Sequence, residues 1–130
     1  MKVFLTGGTG NVGAAAVARL VDHGHEVTVV GRRANADVPG ATYRQCDVGD
    51  YDCVARLMRG HDSVVHLAAI PNPVGNPGRA VFHSNAQGTF HVFEAAAKNG
   101  ISRVVAASSI NALGYFFGDR GFPIPYLPVD

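Results

Sequence analysis

Gly7, Gly10 and Gly13 stand at three-residue spacing directly after the short apolar, β-prone stretch Lys2 to Thr6. Each glycine can serve a different physical need there. Gly7 permits a tight turn, Gly10 lets backbone approach a pyrophosphate, and Gly13 lets a helix pack closely on a strand. The amides of Asn11, Val12 and Gly13, at the start of that helix, would hold phosphate oxygens, helped by the positive end of the helix dipole. A purely structural turn is the alternative, but the glycines follow a strand and open a βαβ unit, which favours dinucleotide binding.

About 20 residues after such a turn, an acidic side chain at the end of the second strand would bind a ribose 2′-hydroxyl. This chain has Gly31-Arg32-Arg33 instead. Two guanidinium groups without a carboxylate favour a 2′-phosphate, so NADP is expected ahead of NAD. If the arginines are only a solvated strand end, NAD binds all the same. Asp47-Val48 follows the third strand, where the carboxylate either accepts a hydrogen bond from an adenine amino group or caps the next helix. Leu67, Ala68 and Ala69 follow His66 at the end of the fourth strand, where small residues let a cofactor lie against the backbone. The six histidines form no HExxH-type cluster, so no metal site is expected, and His83 and His91 are assigned to a solvated helix flank.

The elements that must position these residues alternate regularly. Val12, Ala16 and Leu20, with Val17 and Val21 beside them, mark one apolar helix face that Gly24 can end. Glu26 to Val30 reads as a second buried strand, parallel to the first through a right-handed crossover. A weaker strand at Thr42 to Cys46, a helix from about Tyr51 to Arg59 and a strong strand at Ser63 to Leu67 follow. Prolines and glycines between Pro71 and Gly78 exclude regular structure. Phe82, Ala86, Thr89, Phe90, Phe93 and Ala97 then predict one long helix from about Arg79 to Asn99, and Arg103 to Ala107 a fifth strand ending at Ser108-Ser109. The expected architecture is a doubly wound α/β domain over residues 1–114, with a parallel sheet in the order 3-2-1-4-5. Residues 115–130, with Tyr115-Phe116-Phe117 and spaced prolines, read as an irregular tail.

Composition narrows the partners. The chain has 130 residues, 47% apolar and 16% charged, enough for one domain with a real core and unlike a disordered polyelectrolyte. Eleven Lys+Arg against ten Asp+Glu leave a net charge of +1, so no global field draws the chain to nucleic acid or an anionic membrane. No run of 18 apolar residues occurs, and no membrane partner is expected. Cys46 and Cys53 are too few for a disulfide framework or a four-ligand zinc site, which points to free buried thiols and a cytoplasmic setting.

Four segments in order resemble the landmarks of the extended short-chain dehydrogenase/reductase family, and within it the NAD-dependent epimerase/dehydratase group. They are Thr6 to Gly13, His66 to Ala69, Asn85-Ala86-Gln87-Gly88-Thr89, and Ser108-Ser109-Ile110-Asn111-Ala112-Leu113-Gly114. The resemblance implies a Rossmann fold with Gly7, Gly10 and Gly13 around the pyrophosphate, Asp47 and Val48 at the adenine, and Leu67 to Ala69 along the cofactor. It adds Asn85 and Ser108 to the cofactor set. It aligns Ser109 with the serine that hydrogen-bonds the reacting hydroxyl or carbonyl. The implied substrates are nucleotide sugars or related carbohydrates.

The resemblance also implies an acid/base tyrosine four residues before a lysine. Four residues after this chain's tyrosines stand Asp47, Ala55, Asp119 and Asp130. The expectation is therefore the cofactor-binding portion of such an enzyme, inactive as these 130 residues, without a sixth strand or substrate lobe and prone to self-association through the tail or a paired helix. A non-catalytic dinucleotide-binding or redox-sensing module is the alternative.

Overall fold

The computed structural model describes residues 1–72 and 74–109. Five parallel strands form one sheet in the order β3-β2-β1-β4-β5, as expected. They are β1 (Lys2–Thr6), β2 (Glu26–Gly31), β3 (Thr42–Gln45), β4 (Ser63–His66) and β5 (Val104–Ala106). The helices are α1 (Asn11–Asp22), α2 (Tyr51–Met58), α3 (Gly78–Phe82) and α4 (Gly88–Lys98). The expected tail and the boundary at Gly114 lie outside the described residues.

Strand periodicity splits the core into two layers. On β1, Val3 and Leu5 point to the α1 side, where they join Val17, Val27 and Val29; Phe4 points the other way and meets Val54, Met58, Val92 and Ala95 of α2 and α4. Strands apolar on both faces are what a parallel sheet between helices demands. β5 departs from this, with Val105 64% exposed.

The long helix is not continuous. Between α3 and α4 the backbone widens into a π segment, His83–Gln87, where the Gly88 amide donates to the carbonyl of His83 five residues back. A local side-chain interaction accompanies the change of pitch: the Thr89 hydroxyl donates to the Asn85 carbonyl at 2.6 Å. Apolar spacing alone could not reveal this, because the 3.6-residue pattern resumes on the far side.

Candidate functional site

The glycine turn sits at the carboxyl end of β1, and its three glycines are required for different reasons. Gly7 has φ +76°, and a side chain there would meet the backbone of Leu67 and Ala68 at 2.6 Å. A Cβ on Gly13 would run into the Gly7 carbonyl oxygen and reach Gly8 Cα at 2.7 Å. Gly10 is different: its backbone is extended (φ −85°, ψ 170°) and a Cβ there would meet only the Gly7 carbonyl, at an ordinary 3.4 Å. Neither backbone conformation nor internal packing requires glycine at position 10. The Gly10 amide closes the turn on the Gly7 carbonyl at 3.1 Å. The next amide to bond back is that of Ala14, to the Gly10 carbonyl at 2.8 Å, and no side chain caps the helix. The amides of Asn11, Val12 and Gly13 precede the first intrahelical acceptor, so they remain available to an outside anion.

A cavity of about 370 Å³ opens before this turn, lined by Gly7, Gly10, Arg32, Arg33, Asp47 and Val48, with Leu67 to Ala69 as its far wall. Backbone anchors hold the arginines: Tyr43 Oη donates to the Arg33 carbonyl at 3.0 Å and Gln45 Nε2 to the Arg32 carbonyl at 3.1 Å. Among the described residues neither guanidinium forms an ion pair. The Asp47 carboxylate accepts from the Gly49 amide at 2.9 Å, which rigidifies the turn after β3. It does not cap α2; Asp50 does, accepting from the Cys53 amide at 3.0 Å. The capping alternative for Asp47 is thereby overturned, because the N-cap position lies three residues further on.

Thr6 and His66 are register partners on β1 and β4 and face the same layer. The Thr89 hydroxyl gives its proton to the Asn85 carbonyl, so at 2.9 Å it accepts from His66 Nε2–H. His66 Nδ1 is then the acceptor for the Thr6 hydroxyl at 2.7 Å, and Thr6 Oγ1 in turn accepts from the amides of Leu67 and Ala68 at 3.2 and 3.1 Å. This chain of donors fixes the neutral Nε2–H tautomer. Burial, with His66 only 3% exposed, holds the imidazole below its ordinary value. The histidine thus shapes the Leu67-Ala68 wall without touching the cavity opposite the turn.

A second cavity, about 670 Å³, shares Leu67 to Ile70 with the first and extends past Val12, Asn85 and Thr89 to Ala107, Ser108 and Ser109. Asn85 uses both ends of its carboxamide on Ile70, accepting from its amide at 2.7 Å and donating to its carbonyl at 2.9 Å. Asn85 lies within the π segment.

Of the residues assigned from the sequence to the cofactor or the reaction, all line one or the other cavity except Asn11 and Gly13, which begin α1. The assignment of His91 to a solvated flank is corrected: it is half-buried and its Nδ1 bonds the Val48 carbonyl at 3.1 Å. His83 is exposed, yet it lines the first cavity and packs on Gly49. Cys53 is only half-buried. Thr6, Thr9, Ser84 and Thr89 were not recognised. Asn85 and Thr89 at four-residue spacing carried a signal for a shared helix face, whereas Thr6 and His66 meet only through strand register. Among the described residues no group of three His, Cys, Asp or Glu could hold a metal, and no helix is long and apolar enough to cross a membrane.

Comparison with known proteins gives the same pattern a family. The family described as NAD dependent epimerase/dehydratase matches residues 3–122. The chain belongs to that family. Curated members similar to it include a uronate dehydrogenase of Pseudomonas syringae pv. tomato, 30% identical over 88% of this chain and 42% of the relative. An L-arabinose 1-dehydrogenase (NAD(P)(+)) of Haloferax volcanii is 38% identical over 83% of this chain and 41% of the relative. Among solved family structures, a UDP-galactose 4-epimerase superposes with a TM-score of 0.77 at 33% identity, covering 90% of this chain and 41% of that one. A mutant uronate dehydrogenase from Agrobacterium tumefaciens complexed with NAD gives 0.76 at 28%, covering 88% and 43%. The chain therefore spans about two fifths of the length of the relatives it matches. These relatives are oxidoreductases and epimerases of the extended short-chain dehydrogenase/reductase type, and the Rossmann fold is theirs and this chain's.

Proposed function

We propose that this chain binds a nicotinamide dinucleotide along the carboxyl edge of its sheet and forms the cofactor-binding part of a dehydrogenase or epimerase acting on a nucleotide sugar or related carbohydrate. One observation carries the reading: Gly10 is a glycine that neither backbone nor internal packing requires, at the mouth of a cavity beside unbonded helix-start amides. A pyrophosphate lying against Gly10 supplies the missing reason. In this reading Gly7 and Gly13 shape the turn, the amides of Asn11 and Val12 hold phosphate oxygens, Asp47 and Val48 meet the adenine, and Leu67 to Ala69 support the middle of the cofactor. Asn85 and Ser108 border its nicotinamide end. Arg32 and Arg33, anchored through their carbonyls, favour NADP over NAD.

A bound nicotinamide would supply hydride transfer to or from a sugar carbon. Ser109, at the rim of the second cavity, would hydrogen-bond the reacting oxygen. A serine alcohol is too weak an acid to move the accompanying proton unaided, and no tyrosine here precedes a lysine by four residues. Turnover by these 130 residues is therefore not expected. Residues 1–114 constitute the cofactor domain in this proposal, and the cytoplasm is its setting. The exposed stripe of Phe82, Phe90 and Phe93, 66%, 64% and 45% accessible, is the surface we assign to self-association.

Calorimetric titration of the chain with NAD and NADP, with light scattering and a turnover assay on a panel of aldoses and uronic acids, tests the proposal. Binding of either cofactor without turnover, by a self-associated chain, is expected. Absence of binding would refute the cofactor reading, robust turnover the division of labour, and a monodisperse monomer the role of the phenylalanine stripe.

A further inference from the structure

The chain's two cysteines are brought together by the crossing from β3 into α2. Cys46 directly follows β3 in the interior, at 3% exposure, and lines the first cavity next to Asp47 and Val48. Cys53 lies seven residues on, in the first turn of α2, and packs half-buried against the core layer that contains Cys46. The Cys53 thiol is among the groups that act on the Cys46 thiol. The two thiols also straddle one stretch of backbone: Cys53 Sγ reaches the Gln45 carbonyl at 3.9 Å and Cys46 Sγ the Asp47 carbonyl at 3.7 Å. On its outer side Cys53 Sγ faces Arg56 Nη2 at 3.7 Å.

We propose that Cys46 and Cys53 form a reversible oxidation site, closing an intramolecular disulfide in the presence of a small disulfide oxidant and so altering the Asp47-Val48 wall of the cavity. The more accessible sulfur reacts first. The Cys53 thiolate attacks one sulfur of oxidised glutathione, the glutathione S–S bond breaks, and one glutathione leaves with the electron pair and takes up a proton. Cys46 then loses its proton to solvent and attacks the Cys53 sulfur, expelling the second glutathione. Two protein thiols are oxidised and one glutathione disulfide is reduced to two thiols.

Burial, followed by the neighbouring Cys53 thiol, pushes the Cys46 thiol up, so Cys53 is the sulfur that reacts first. Closure would bring the sulfurs to about 2.05 Å. The enclosed loop carries Asp47, Val48 and the Asp50 cap, so these must adjust. The effect on cofactor binding rests on the proposed dinucleotide reading; the disulfide itself does not.

The test is incubation of the full chain with oxidised glutathione, followed by intact mass and non-reducing peptide mapping. The expected wild-type product has lost two hydrogens, contains one Cys46–Cys53 link and reverts with dithiothreitol. Cys46→Ser should stop at a glutathione adduct on Cys53, and Cys53→Ser should stay unmodified. A wild-type chain that remains reduced, halts at the mixed disulfide or links to a second chain overturns the proposal. Titration with NAD then reads the coupling: a several-fold weaker affinity of the oxidised chain is expected, and equal affinity overturns it. If the reduced chain binds neither NAD nor NADP, the dinucleotide reading fails while the mass result stands.

Discussion

The two cavities share the wall Leu67 to Ile70 but are finished differently. Around the first, each turn is held by contacts within the described chain: Tyr43 and Gln45 on the arginine carbonyls, Asp47 on Gly49, and the Gly7–Gly13 contact between turn and helix. The second runs out to β5, where Val105 is exposed and Ala107, Ser108 and Ser109 form the rim. The first resembles a preorganised binding surface, whose fixed walls lower the cost of ordering a ligand. The second has a hydroxyl at its rim but no lysine among its lining residues to assist proton transfer. In the proposed reading, the first cavity holds the cofactor and the second only orients the reacting oxygen.

Breaking the first cavity at its foundation should have the largest effect. Gly13→Val forces a side chain into the Gly7 carbonyl and should destabilise the fold by about 3 kcal/mol in urea denaturation, since turn and helix cannot separate cheaply. Thr6→Val tests the shared wall. It removes the hydroxyl that serves His66 and the amides of Leu67 and Ala68; the Leu67 amide keeps the Thr6 carbonyl, and a loss of about 2 kcal/mol is expected for His66 Nδ1 and the Ala68 amide left unpaired. A change below half a kcal/mol would contradict the assigned proton chain.

Arg32→Ala sharpens the comparison at the ligand. It should cost at least about 1.5 kcal/mol in NADP affinity, with little effect on NAD, if a charge-assisted bond to the 2′-phosphate is lost. Equal losses for both cofactors would show that the arginine serves the fold. The smallest effect concerns pH. His66 has a lower pKa folded than unfolded, so the unfolded chain binds the extra proton first. Stability should therefore be complete above the unfolded value of about 6.5 and decline as pH falls below it toward the lower folded value. Thermal melts of wild type and His66→Gln between pH 5 and 7.5 should differ in this slope, and identical slopes would remove His66 from the explanation.

Much of this architecture was legible because it depends on local spacing. The strands and helices followed from apolar runs alternating with helix faces, their order from the doubly wound pattern, and the glycine turn from three glycines at a strand end. What escaped depends on register and on competition for single atoms. Thr6 finds His66 only because β1 and β4 pair in parallel at that register. The π segment accompanies the Thr89 hydroxyl's claim on the Asn85 carbonyl, which leaves no trace in hydrophobic periodicity. Asp47 stayed open as a cap because it precedes α2 by about one turn's length; the Cys53 amide donates instead to the Asp50 carboxylate, which decides it. The histidine flank was misjudged because His91 turns back to the Val48 carbonyl, a contact 43 residues away in sequence.

The central claim is that Gly10 is kept small for a ligand rather than for the fold. Gly10→Val measures this most directly, because its extended backbone accepts valine and a Cβ there meets only an ordinary contact. Calorimetric titration with NAD and NADP, paired with a thermal melt of the same sample, should show a near-wild-type melting temperature and at least a roughly tenfold loss of affinity for both cofactors. Unchanged affinity in a folded Gly10→Val chain would contradict the claim.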